Sequence, residues 1–159
     1  MYPVEIREEA PRRVVGIGHR GPYDQIKPAF ERLSDLVTER GLWPQAREVL
    51  GVYVDDPTEV PAEDLRGLAG IAVAEDLPLP EGMEQMRVAG GRYAVLTLVG
   101  PYSGLPAAWD WLYGTWRLGS GEAPRDAPGV EIYRNDPDQV APETLVTEIL
   151  MPLAEVPGA

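Results

Sequence analysis

Cysteine is absent from the 159-residue chain, and histidine occurs once. Without thiols there is no disulfide framework, no thiolate nucleophile and no thiolate metal site, and a reducing cytoplasm is the default setting. The single His19 has no nucleophile or orienting acid at a triad's spacing, and no partner at a metal site's spacing. Neither a metal nor a cofactor is expected. Basic runs are missing too: 26 acids against 14 bases give a formal charge of −12. That field repels phosphate backbones, so direct nucleic-acid binding is not expected, whereas a cationic small molecule or a basic protein surface suits it. No uncharged apolar stretch approaches the roughly 18 residues of a membrane span. The acidic, strand-like start "MYPVEIREEAPRR" does not read as a signal peptide.

What is present is an apolar fraction of 44% with four Trp and seven Tyr, enough for a packed core in one domain spanning 1–159. The chain also repeats itself. "RGPYDQIKPAFERL" from residue 20 returns as "VGPYSGLPAAWDWL" from residue 99, an offset of 79. "YVDDPTEVPAEDL" from residue 53 returns as "YRNDPDQVAPETL" from residue 133, an offset of 80. Two blocks in the same order at nearly one offset imply a duplicated unit, over about 2–76 and 82–153. The Pro-rich "EDLPLPEG" between them reads as a connector.

Each unit has the same plan. "VEIRE" and "RRVVGIGH" are strands broken by Ala10-Pro11, and Ile26, Phe30, Leu33 and Val37 recur at helical spacing up to Gly41. "EVLGVYV" and "LAGIAVA" are two further strands. In the second unit, "EQMRVA" and "RYAVLTLVG" precede a helix with Trp109, Leu112 and Trp116 that ends near Gly119; "GVEIYR" and "TLVTEILMPL" follow. Two ββαββ-like units most simply share one antiparallel sheet with both helices on one face, an α+β fold of pseudo-twofold symmetry.

The two units differ where it counts. Glu131 answers to Gly51, and Glu148 answers to Leu68. A charge in an apolar strand is costly unless it is solvated, paired or used, and the sister unit folds without either acid. On alternation Glu131 shares a face with Tyr133, opposite Val130 and Ile132. If the face away from the helices holds a ligand, an ionised carboxylate walled by aromatic rings attracts a lipophilic cation. Tyr23, Tyr53, Tyr102, Trp109 and Tyr133 are the candidate rings. The alternative is that the two acids pair with arginines or lie at a solvent face. "GIGHRG" (16–21) fits the glycine pattern of a dinucleotide loop, but its sister segment "LTLVGP" keeps only the last glycine, and Pro22 follows at once.

The "GPY" before each helix and the ending "EIYRNDPDQVAPETLVTEILMPL" resemble the GyrI-like family, small-molecule-binding domains also found as effector-binding parts of AraC-type and MerR-type multidrug regulators. The resemblance implies a duplicated SHS2-type fold with a ligand pocket between the units. In drug-binding relatives an acid on the penultimate strand, backed by one on the last, recognises cationic aromatic ligands; Glu131 and Glu148 hold those places. Tyr23 and Tyr102 match the family motif, and the chain would be a stand-alone member. Some stand-alone relatives are linked to inhibition of DNA gyrase, others to hydrolysis of cyclopropane-bearing toxins. Binding of a hydrophobic, cationic aromatic molecule is thus the expected function. The alternatives are a hydrolase whose two glutamates do the acid–base work and a protein-binding regulator of a gyrase-like partner.

Overall fold

In the computed structural model, which describes residues 2–155, the chain forms two compact units, Pro11–Ala89 and Met1–Ala10 with Gly90–Ala159. The strands are β1 (Val4–Glu9), β2 (Arg12–Arg20), β3 (Glu48–Tyr53), β4 (Arg66–Val73), β5 (Glu84–Val88), β6 (Gly91–Val99), β7 (Gly129–Tyr133) and β8 (Val146–Pro152). Strands and helices both build it, and every strand pairing within a unit is antiparallel, as an α+β fold requires.

Unit boundaries and repeat boundaries differ by one strand. β1 pairs with β6, and β5 pairs with β2, so each unit takes one strand from the neighbouring repeat. A tight β1–β2 hairpin would need a turn with φ > 0, which Ala10-Pro11 cannot provide.

In the Pro11–Ala89 unit, strands run in the order β3-β4-β2-β5. Helix α1 (Lys27–Glu39) carries Pro28 in its first turn, buries Ala29, Leu33, Leu36 and Val37, and is terminated by Gly41 with φ +64°. Its stripe packs on Val15, Ala69, Ile71 and Val73. Of the glycines of "GIGHRG", Gly16 and Gly18 belong to β2 and Gly21 to the turn after it. Gly16 lies opposite Gly70, where a Cβ would collide with the β4 backbone, so close strand approach accounts for it.

In the other unit the order is β1-β6-β8-β7. Its helix has three joined pieces: α2 (Leu105–Trp111), a π-helical turn (Leu112–Trp116) and α3 (Arg117–Ser120). It stops at Gly121 in the left-handed region, two residues beyond the expected Gly119. Leu105, Ala108 and Leu112 pack on Ala94, Leu96, Leu98, Ile149 and Met151. Trp111, off the expected stripe, meets the ring of Tyr2 edge-on, centroids 5.2 Å apart.

The repeated "GPY" turns are pinned alike. Gly21 N–H donates to Leu65 O and Gly100 N–H to Leu145 O, each at 2.8 Å. Their φ values of +123° and +145° explain the glycine. Among the described residues no helix is long and apolar enough to cross a membrane.

Candidate functional site

β7, "GVEIY", alternates, so Gly129, Glu131 and Tyr133 share one face. Antiparallel register then decides which face that is. Glu131 lies opposite Ile149, and Ile149 packs against Ala108 and Leu112. Glu131 therefore faces the helix, not the helix-free side expected from the strand pattern. It is 6% exposed.

What makes this burial tolerable is aromatic. The Trp109 indole N–H donates to Glu131 Oε2 at 2.5 Å, and the Tyr133 hydroxyl donates to Oε1 at 2.6 Å. Charge-assisted bonds of this kind offset lost hydration. Trp109 reaches the acid because β7 carries no side chain at Gly129, where a Cβ would lie 2.7 Å from Trp109 Cη2. Tyr113 stacks on Trp109, centroids 5.4 Å apart, and Tyr102 meets Tyr133 edge-on at 5.6 Å. Burial pushes the Tyr102 phenol above its ordinary pKa, and the negative charges of Asp136 and Glu131 push it further.

Glu148 belongs elsewhere. It lies opposite Ile132, one residue out of step with Glu131, and so projects from the other face of the sheet. Arg134 Nε donates to Glu148 Oε1 at 2.7 Å, and Arg7 donates to Oε2 at 2.9 Å from the far end of the chain. Buried to 7% exposure, this acid is the arginine-paired one of the alternative reading. The expected convergence of Glu131 and Glu148 on one cavity does not occur within their sheet. The two-acid hydrolytic scheme loses its geometry with it, since a general acid and base must both reach one substrate.

Of the expected residues, the structure gathers Glu131, Trp109, Tyr133 and Tyr102. Tyr23 and Tyr53 form their own edge-to-face pair in the Pro11–Ala89 unit, centroids 4.9 Å apart. There the Tyr23 hydroxyl donates to Arg66 O at 2.7 Å and accepts from Asp55 N–H at 3.0 Å, a structural latch. Tyr113 and Gly129 were not anticipated. Tyr113 stands four residues after Trp109 on the same helix, a spacing that could have suggested it. An open groove of about 470 Å³ in the Pro11–Ala89 unit is lined by Arg40, Leu42 and Leu77–Glu81, none of them an expected site residue. Among the described residues no three His, Asp or Glu side chains gather to hold a metal ion.

Chemically, a carboxylate ringed by indole and phenol faces can hold a cation by charge and by the negative faces of the rings. The family described as GyrI-like small molecule binding domain matches residues 2–154. A DNA gyrase inhibitor from Enterobacter lignolyticus (strain SCF1) is 34% identical over 138 residues, 84% of this chain and 87% of that protein. The structure of SAV2435 bound to tetraphenylphosphonium matches with a TM-score of 0.74 at 14% identity, covering 96% of this chain and 94% of that one. The EcmrR C-terminal domain matches with a TM-score of 0.75 at 15% identity, covering 98% and 99%. At such identities the structural matches speak for the fold alone.

Proposed function

The chain belongs to the GyrI-like small-molecule-binding family, and from that premise we propose that it captures a flat, hydrophobic cation at Glu131. Trp109, Tyr113, Tyr133 and Tyr102 form the aromatic wall. The observation that carries this reading is a carboxylate only 6% exposed that takes hydrogen bonds from an indole and a phenol. In the ligand-free protein those donors hold the charge. An arriving cation replaces part of that support, the rings supply apolar contact area, and the acid selects for positive charge. A formal charge of −12 steers such ligands towards the protein. The relative bound to tetraphenylphosphonium supports the choice of lipophilic cation as a probe. Sequestration or sensing of a toxic aromatic cation in the cytoplasm is the role that fits.

Calorimetry with tetraphenylphosphonium and rhodamine on the wild type and Glu131→Gln tests it. The amide keeps the shape and loses the charge, and affinity is expected to fall at least about tenfold, the scale of one charge-assisted contact. Equal affinity for both proteins would sink the reading.

A second reading is favoured by the curated relatives, which carry the name DNA gyrase inhibitor. Here the acidic surface would engage a basic face of gyrase as a partner-binding regulator. Supercoiling assays with added protein at low and high salt test this: inhibition should fade as salt screens the contact.

A further inference from the structure

Thr147 lies on β8 with Leu98 of β6 on one side and Tyr133 of β7 on the other. It precedes Ile149 by two residues and so shares the helix-facing side with Glu131 and Tyr133. It is 0% exposed, and its Oγ1 has no hydrogen-bond partner among the described residues. A buried hydroxyl left unpaired is destabilising, and valine would fill the same shape without that penalty.

The fold does not ask for this hydroxyl. The sister position is Gly67, opposite Tyr53, where a Cβ would meet the ring of Tyr23 at 3.4 Å. There the tyrosine closes over bare backbone and its hydroxyl is latched. In the acidic unit a threonine stands at that point, and the Tyr102 phenol makes no hydrogen bond among the described residues. An unused hydroxyl therefore sits beside the tyrosine that holds Glu131.

We infer that Thr147 is a specificity determinant of the Glu131 site, accepting a hydrogen bond from an N–H group of the bound cation. The inference rests on the proposed cation binding. The ligand class follows from the neighbours. Glu131 selects positive charge, and a protonated or amino-substituted aromatic nitrogen brings donors, so the missing partner is an acceptor, which a threonine hydroxyl can be. The site is thus tuned to aromatic ammonium-type ligands over cations whose charge is wrapped in carbon.

Thr147→Val and Thr147→Ser are measured beside the wild type and Glu131→Gln. The probes are proflavine, which carries N–H donors, and tetraphenylphosphonium, which has none. Thr147→Val is expected to lower proflavine affinity about tenfold and to leave tetraphenylphosphonium affinity within about twofold. Serine is expected to restore proflavine binding. The ligand-free Thr147→Val protein should melt about 3 °C higher, the scale of one relieved unpaired hydroxyl. Equal losses for both probes, no loss for either, or a lower melting temperature would overturn the inference and mark Thr147 as packing. If Glu131→Gln weakens both probes while Thr147→Val weakens neither, cation capture survives and the threonine's role does not. If the wild type binds neither probe, both fall.

Discussion

Laid over one another, the two units disagree along one column of the helix-facing surface. β3 presents Val49, Gly51 and Tyr53 where β7 presents Gly129, Glu131 and Tyr133, and the helices offer Phe30 against Trp109. Bulk has moved from strand to helix: the larger indole lies where the strand side chain is missing. At Gly51, a Cβ would fall 2.7 Å from the Tyr53 hydroxyl, so that tyrosine already fills the place an acid would need. The Tyr23 hydroxyl donates to Arg66 O and accepts from Asp55 N–H, whereas the Tyr102 hydroxyl makes no hydrogen bond among the described residues, its ring resting on Tyr133 and the core of its unit. Even the loops differ. Asp55 bonds the Arg66 backbone and side chain, while Asn135 accepts from Val146 N–H and donates to Thr144 O. One unit latches its Tyr23 hydroxyl to backbone; the other sets a carboxylate under an indole and a phenol that bond to it and leaves the Tyr102 hydroxyl unbonded among the described residues. The duplication teaches that the scaffold needs neither the acid nor the loose tyrosine.

That contrast can be broken most sharply by moving the acid. Gly51→Glu places a carboxylate under a filled site with no indole in reach, and should cost about 3–5 kcal/mol, the scale of an uncompensated buried charge. Denaturant unfolding checks it, and a cost below 1 kcal/mol would mean that both halves accommodate an acid equally. Gly129→Val gives β7 the residue of β3. With its Cβ on the Trp109 ring, about 1–3 kcal/mol of overpacking is expected, together with a tryptophan emission change as the Glu131 bond breaks. Tyr23→Phe should lose about 0.5–1.5 kcal/mol with its hydrogen bonds to the Arg66 and Asp55 backbone, whereas Tyr102→Phe should stay within about 0.5 kcal/mol. Equal losses would erase the distinction between latched and loose.

The smallest expected effect is on pH. Hydrogen bonds from the Arg66 side chain hold the Asp55 carboxyl below its ordinary value. Its loop contact is therefore complete above the ordinary carboxylate pKa of about 4 and is lost only as pH falls through the lowered value. Amide exchange at Arg66 should quicken on strong acidification, while Val146, held by the untitratable Asn135, should not change by this route.

Much of this was legible in the chain. The strands were placed within a few residues, because two-residue alternation and buried runs are local signals. The duplicated "GPY" and "DP" turns marked the repeat, since Gly21 and Gly100 must adopt positive φ. Glu131 stood out because its counterpart is Gly51. Trp109 and Tyr102 were anticipated as rings, yet Trp109's role as a hydrogen-bond donor depends on a strand 22 residues away. The strand exchange was only half visible: Ala10-Pro11 speaks against a β1–β2 hairpin, but nothing local in β1 or β5 names the partner each takes instead.

By itself the sequence determined an acidic, thiol-free, duplicated α+β protein with two strand acids that its other repeat lacks. Only tertiary structure decided that these acids part company. Alternation says which residues share a face, but which face meets the helix and which strand position lies opposite another are set by long-range packing and register. Pairing Glu131 with Ile149 rather than Glu148 is a difference of one residue. In a sheet that single step turns a side chain from one face to the other, leaving one glutamate under tryptophan and the other between arginines.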